Sequence, residues 1–473
     1  MTSNIFHEYD IRGHYPAEVN ETIFYNLGKA YYEAFKPKKI AIGRDSRLSS
    51  DTLFLYLASA LQNGKVKIID LGCVSTPFCL WYSQKYKVDA LMITASHNPK
   101  DENGLKLFSA KNGIVDKLNG LGKLETKFKG IGISEAKIEH KIDSKKHSPI
   151  AEYVDFIIKK YTPASPTLRT RLRSGTARLR RISKIKIALD LSNGSAGQEF
   201  ILALEKLKID FATLNETPNG KFPAHSPNPL LAESQKGIKI LLKQSKFSFG
   251  AIIDGDGDRI LFLDELGEVV DSSYIFSLFI ENYLPYKKAK AIVKNIAIGR
   301  IVDEIAKKKG LQLGVVPVGR TKMQTVMKKI KAEMGAEKSG HYFFKDLYYG
   351  DNAVAAILAM VFILAKKKKS LSKLLEPYKN YIIIPEINIP FEGRVDKILG
   401  AIKDKYKNEN ISEIDGLTVE NPIPAKSQGD SGASWRFNLR RSNTESVWRL
   451  NLEGKNREEV DKLKEEVENI LKS

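Results

Sequence analysis

Short apolar runs of strand length alternate with longer stretches of helical period along most of the chain. Lys39-Ile-Ala-Ile-Gly43 leads into an amphipathic stretch from Asp51 to Gln62 and then to Val66-Lys-Ile-Ile-Asp70. The plan recurs in Ile185 to Asp190, a turn at Asn193 to Gly197, a helix from Phe200 to Leu207 and a strand from Asp210 to Leu214. It recurs again in Lys290 to Val293, a helix around Arg300 to Lys309, and Leu311 to Val316. Such alternation predicts parallel or mixed sheets covered by helices on both faces, hence three consecutive α/β domains.

The last portion breaks this rhythm. Ile382 to Pro385, Ile387 to Ile389, Gly416 to Glu420, Trp435 to Leu439 and Val447 to Leu452 read as strands, followed by one helix, which predicts a smaller C-terminal α+β domain. Asn456 is placed to cap that helix, with Glu459 three residues on. Val460, Leu463, Val467, Ile470 and Leu471 form its apolar stripe. Linkers are expected near Lys145 to Pro149, Asp264 to Gly267 and Ser370 to Pro377. The division is therefore 1–148, 149–265, 266–374 and 375–473.

At 473 residues the chain is long enough for several cores. Its longest apolar run, Ala353 to Ala365, falls short of the roughly 20 residues that span a bilayer. The N-terminal segment has no basic-then-apolar layout, so no membrane partner and a cytoplasmic location are expected. Cys73 and Cys79 are the two cysteines, with no further ligand nearby at metal spacing, so they read as core or near-core thiols. The net charge of +20 favours any anion, whether nucleic acid or a phosphorylated small molecule. Arginines gather in the stretch from Leu168 to Arg181, but the interleaved aromatics or recognition helix of a nucleic-acid binder are absent, and an exposed linker is the simpler reading.

Four polar islands carry candidate chemistry. Thr94-Ala-Ser-His-Asn-Pro99 ends an apolar run and holds Ser96 beside His97, with Lys106 downstream. Serine alone is a weak nucleophile and could be a plain turn residue, but an imidazole and an ammonium group bring proton transfer and positive charge. The turn dipeptides Asn98-Pro99 and Asn103-Gly104 would present its hydroxyl to solvent. Asp254-Gly-Asp-Gly-Asp258-Arg259 follows a second apolar run and spaces three carboxylates at alternate positions. Such close like charges repel unless a cation joins them, and all-oxygen donors suit magnesium. Glu265 at the twelfth place invites an EF-hand reading, which Arg259 at the sixth place and the strand-like flanks oppose. Glu337-Lys-Ser-Gly-His341 offers an acceptor, a hydroxyl and an imidazole, suited to sugar hydroxyls, or is a helix-to-strand turn. Arg440-Arg-Ser-Asn-Thr444 lies between strands as a competent phosphate cradle or as a hairpin loop. A serine plus a hard-metal loop suggests phosphoryl transfer.

Taken together, these loops and Phe6-His-Glu-Tyr-Asp-Ile-Arg-Gly13 resemble the α-D-phosphohexomutases over nearly the whole chain. The resemblance implies four domains around a central cleft. It also implies a shuttle in which phosphorylated Ser96 gives its phosphoryl group to a hexose 1-phosphate or 6-phosphate, with hexose 1,6-bisphosphate as intermediate and activator. Mg²⁺ would be held by Asp254, Asp256, Asp258 and a phosphoserine oxygen on Ser96. Arg12, Lys106 and Arg259 would surround the transferred group, and His341 and Lys106 would handle protons, with His97 beside the serine. Glu337, Ser339 and His341 would meet the sugar, and Arg440, Ser442, Asn443 and Thr444 the distal phosphate.

His7 and Ala336 depart from the family pattern, Lys338 takes a place there that is often uncharged, and Val318 to Lys322 matches a phosphate-side loop only loosely. Among sugars, His341 to Asp346, Tyr348 to Asp351 and Trp435 to Arg440 resemble phosphomannomutases and dual-specificity phosphoglucomutases, with phosphoglucosamine mutase the alternative. Sugar phosphates are the expected partners, and the chain a monomer or homodimer. A basic nucleic-acid-binding protein, the non-enzymatic rival, would show steeply salt-dependent binding and no turnover.

Overall fold

A computed structural model describes residues 5–136, 138, 142–161, 184–390, 395–421, 435–441 and 447–472. The basic stretch from Leu168 to Arg181 and the three residues Ser442, Asn443 and Thr444 lie outside them. The chain divides into two compact units, one of Met1–Val270 with Ser339–Ser372, the other of Asp271–Lys338 with Lys373–Ser473.

The first unit begins with β1 (Ile11–His14), α1 (Glu21–Phe35), β2 (Lys39–Arg44), α2 (Ser50–Asn63), β3 (Lys67–Cys73) and α3 (Thr76–Tyr86). It continues with β4 (Ala90–Ile93), β5 (Glu102–Ser109), β6 (Gly113–Ile114), α4 (Gly122–Ile131), β7 (Ser144–Lys146) and α5 (Ile150–Tyr161). The sheet order is β1-β5-β4-β2-β3-β7, with β6 on β5. The pairs β2/β3, β2/β4 and β3/β7 are parallel and β4/β5 and β1/β5 antiparallel, so the sheet is mixed. α1 starts where Asn20 Oδ1 accepts the Ile23 amide, and its Phe24, Leu27 and Tyr31 join Leu53 and Leu57 of α2 in one buried cluster. Leu57→Ala would cost about 2–5 kcal/mol there.

The second sheet of this unit comprises β8 (Lys186–Asp190), β9 (Asp210–Leu214), β10 (Phe249–Ile253), β11 (Ile260–Leu263) and β12 (Val269–Val270), with helices α6 (Gly197–Lys206) and α7 (Lys236–Gln244). Its order is β12-β11-β10-β8-β9. In the second unit follow α8 (Ser272–Asn282), β13 (Ala291–Asn295), α9 (Ile301–Lys308), β14 (Gln312–Val316), α10 (Arg320–Ile330) and β15 (Met334–Ala336), with β13 parallel to both neighbours. The first unit then regains the chain with β16 (Tyr342–Phe344), β17 (Gly350–Asp351) and α11 (Ala353–Lys367). α11 is apolar on every side and correspondingly buried, the pattern of a core helix. Among the described residues no helix is long and apolar enough to cross a membrane.

The second unit closes with β18 (Ile382–Pro390), α12 (Val395–Lys405), β19 (Asn410–Ser412), β20 (Leu417–Glu420), β21 (Trp435–Arg441), β22 (Val447–Gly454) and α13 (Arg457–Lys472). Its sheet is antiparallel in the order β18-β22-β21-β20-β19. Asn456 Oδ1 accepts the amides of Glu458 and Glu459, and Val460, Leu463, Val467 and Leu471 are buried, as the sequence predicts.

Several expectations are corrected. Ile382 to Pro385 and Ile387 to Ile389 are one edge strand, interrupted by a register shift where Pro385 has no amide to pair. The expected linker at Lys145 to Pro149 contains β7, paired to β3. That at Asp264 to Gly267 is the tight β11–β12 turn, closed by the amides of Leu266 and Glu268 on Asp264 Oδ1. Ser370 to Pro377 is largely helical. Cys79 is buried, but Cys73 is exposed because it ends β3 beyond the core rows.

Candidate active site

Four loops of the first unit leave the carboxyl ends of parallel strands, where open α/β sheets place their ligands. They follow β2, β3, β4 and β10. Ser96 sits just beyond β4 with φ of 55°, a left-handed conformation that costs about 1–2 kcal/mol for a side-chain-bearing residue. Thr94 Oγ1 offsets this by accepting the Ser96 amide at 2.8 Å. The serine hydroxyl is buried, not exposed as the turn dipeptides imply, and donates to Asp254 Oδ2 at 2.9 Å. Asn103-Gly104 is no turn. It lies in β5, where a Cβ on Gly104 would stand 2.0 Å from the Ile11 carbonyl of β1, so glycine serves close strand approach.

Asp254 to Arg259 form the turn between antiparallel β10 and β11. Gly257 has φ of 75° there, and at Gly255 a Cβ would lie 2.7 Å from the Ser96 carbonyl, so the two loops meet backbone to backbone. Asp254 Oδ1 accepts the amides of Asp258 and Arg259, each at 3.1 Å. Lys106 Nζ reaches Asp256 Oδ2 at 2.6 Å and Asp258 Oδ2 at 2.8 Å. All three aspartates are buried, and one oxygen of each lies within 4.8 Å of the others. Burial, then the charges of Asp258 and Asp256, push Asp254 well above the ordinary carboxyl range. Burial and Asp258 push Asp256 the same way, but Lys106 and the Thr76 hydroxyl hold it below that range. Asp256 Oδ1 is buried without a hydrogen-bond partner. An orphaned carboxylate oxygen amid three carboxylates and one ammonium group fits a hard divalent cation.

Arg12 Nη1 donates to Asn98 Oδ1 at 2.8 Å and its Nε to Asp10 Oδ2 at 2.9 Å. Arg259 Nε lies 3.9 Å from Asp254 Oδ2. His97 Nδ1 is 3.5 Å from Ser96 Oγ, and burial first, then Arg259 and Arg12, push the imidazole well below its usual range, so it is neutral at neutral pH. His341 Nε2 is 3.1 Å from Asp258 Oδ1, and its Nδ1 is 2.9 Å from Ser339 Oγ. Ser96, His97, Lys106, Arg12, the three aspartates, Arg259, Ser339 and His341 thus come together in one unit.

Glu337 and Arg440 belong to the second unit. The segment holding Glu337 runs from strand β15 to strand β16, not from a helix. Glu337 is buried and accepts the Gly319 amide at 3.3 Å. Arg440 lies inside β21 instead of in a loop, because β21 runs on to Arg441 in register with β22. Its Nη2 is 3.6 Å from Glu386 Oε2, and Arg449 Nη1 of the facing strand is 3.5 Å from Glu386 Oε1.

Sequence reasoning missed Arg47, which is fully buried. Its guanidinium donates to the carbonyls of Ser96 at 2.9 Å, Asn98 at 2.7 Å and Glu102 at 2.9 Å, and also to that of Pro99. The signal available was its place just past the carboxyl end of β2. Glu386 was missed too, hidden at the register shift of β18.

Models of the phosphoglucomutase/phosphomannomutase family match in order: alpha/beta/alpha domain I at residues 3–129, domain II at 153–267, domain III at 271–381 and the C-terminal domain at 386–470. A phosphomannomutase of Methanocaldococcus jannaschii is 30% identical over 472 residues, covering 99% of this chain and 97% of its own. One from Escherichia coli is 28% identical, covering 93% of each. A crystal structure of a phosphoglucomutase/phosphomannomutase family protein from Burkholderia thailandensis shares the fold, with TM-score 0.81, 24% identity and coverage of 100% and 98%. The chain therefore belongs to the phosphoglucomutase/phosphomannomutase family of phosphohexomutases, enzymes of the isomerase class.

Proposed function

We propose that the chain interconverts mannose and glucose 1-phosphates with their 6-phosphates through a phosphoserine at Ser96 and a hexose 1,6-bisphosphate. The observation that carries this reading is the buried hydrogen bond of Ser96 Oγ to Asp254 Oδ2, which joins the hydroxyl to the carboxylate cluster. In the first half-reaction the Oγ–P bond breaks as the free sugar hydroxyl bonds to phosphorus; the hydroxyl proton passes to His341 or Lys106, and Ser96 Oγ takes up one proton to leave as a hydroxyl. In the second half-reaction Ser96 Oγ bonds to the other phosphoryl group as that sugar O–P bond breaks; neutral His97, 3.5 Å from Oγ, takes the serine proton, and the sugar oxygen is protonated by His341 or Lys106. No water or external acceptor is consumed.

Asp254, Asp256 and Asp258 would hold Mg²⁺, with an oxygen of phosphorylated Ser96 as a further ligand. The ion would supply charge neutralisation during in-line transfer. Arg12, Lys106 and Arg259 hold positive charge around the serine. Glu337 and Ser339 would bind sugar hydroxyls, and Arg440 with Ser442, Asn443 and Thr444 the phosphate that does not react. The experiment is a parallel assay of mannose, glucose and glucosamine 1-phosphates with glucose 1,6-bisphosphate as activator. Turnover of mannose and glucose 1-phosphates is expected. Turnover of glucosamine 1-phosphate alone would overturn the sugar assignment.

A further inference from the structure

The aspartate loop is held from outside by the start of a helix belonging to the first sheet. Thr76, the first residue of α3, is fully buried. Its amide donates to the Asp256 carbonyl at 2.9 Å and its hydroxyl to Asp256 Oδ2 at 2.6 Å. Lys106 Nζ donates to that same Oδ2. One oxygen of the carboxylate therefore has two donors while the other, Oδ1, is buried with none. Thr76 is itself anchored. The preceding Ser75 caps α3 by accepting the Phe78 amide at 3.1 Å, and donates through its hydroxyl to Glu199 Oε2 at 2.7 Å and through its amide to Oε1 at 3.1 Å. Glu199 is buried on α6, beside the second sheet.

We propose that Thr76 is a positioning residue for the cation: its hydroxyl fixes the rotation of the Asp256 carboxylate so that Oδ1 is the oxygen offered to the metal. The inference rests on the magnesium reading above. Outer groups that orient a ligand typically change metal affinity by about 10–100-fold. The same carboxylate without the threonine can turn, dividing its lone pairs between Lys106 and the ion.

The test is Mn²⁺ binding to the whole protein without substrate, followed by the EPR signal of free Mn²⁺, with melting temperature as the check on folding. Thr76→Val removes the hydroxyl at constant shape and should weaken Mn²⁺ binding by roughly tenfold or more. Thr76→Ala, which also keeps the amide bond, should show the same loss, and Thr76→Ser should restore affinity. Wild-type affinity in either hydroxyl-free variant would overturn the proposal. Asp256→Asn separates the two claims: if it too binds Mn²⁺ normally, the aspartate loop is not the metal site.

Discussion

The serine site of the first unit and the arginine face of the second are built differently. Around Ser96, polar groups are fixed by short bonds to backbone: Arg47 spans four carbonyls of the loop, and Asp254 Oδ1 takes two amides. On β21 and β22, Arg440 and Arg449 share one partly exposed carboxylate, Glu386, at 3.6 and 3.5 Å. The first arrangement cannot move without breaking several buried hydrogen bonds, whereas in the second the arginines meet Glu386, itself held by Asn451 Nδ2 at 3.1 Å, only at ion-pair distance, where an anion can compete for them. Preorganisation at the serine should therefore govern turnover, and charge on the arginine face should govern affinity.

Breaking the serine loop should have the largest effect. Arg47→Lys keeps the charge but cannot span the carbonyls, so kcat should fall by roughly a hundredfold, the cost of a small misplacement of a reacting group. KM should change little, and a KM effect without a kcat effect in steady-state kinetics would erase the contrast. Arg440→Ala should show the opposite split. Loss of a charge-assisted bond weakens hexose phosphate binding by about 1.5–3 kcal/mol, read as a raised KM or by calorimetry. Unchanged affinity would remove Arg440 from the phosphate site.

The smallest effect concerns stability. Burial pushes Glu199 up to about 8, against which its two bonds from Ser75 work. The folded chain thus holds a proton that the unfolded chain releases near the ordinary value of about 4.5. The stabilisation is full below that value and is lost as pH rises through about 8. Melting temperatures across this window should decline less steeply in Glu199→Gln than in wild type. Parallel curves would show that Glu199 does not titrate there.

What the sequence revealed follows from the range of each interaction. Ser96 and the three aspartates were legible because their donors are packed into six-residue loops flanked by apolar strands. Arg47, Thr76 and Glu199 were not, since their bonds join positions 49, 180 and 124 residues apart and leave no periodic trace. Turn chemistry also misled, because Asp264 to Gly267 has the composition of a domain linker and of a hairpin alike. Pro385 split one strand into two apparent ones for a related reason: a residue without an amide looks like a stop, yet an edge strand tolerates it.

The central claim is that Ser96 carries the phosphoryl group, and mass spectrometry of the intact protein with peptide mapping tests it most directly. After incubation with glucose 1,6-bisphosphate, one phosphoryl group is expected on the peptide containing Ser96, lost again on adding hexose 1-phosphate. Ser96→Ala should remain unmodified and lose turnover by orders of magnitude. Near wild-type mutase activity in Ser96→Ala, or full turnover with the phosphoryl group on another residue, would contradict the account.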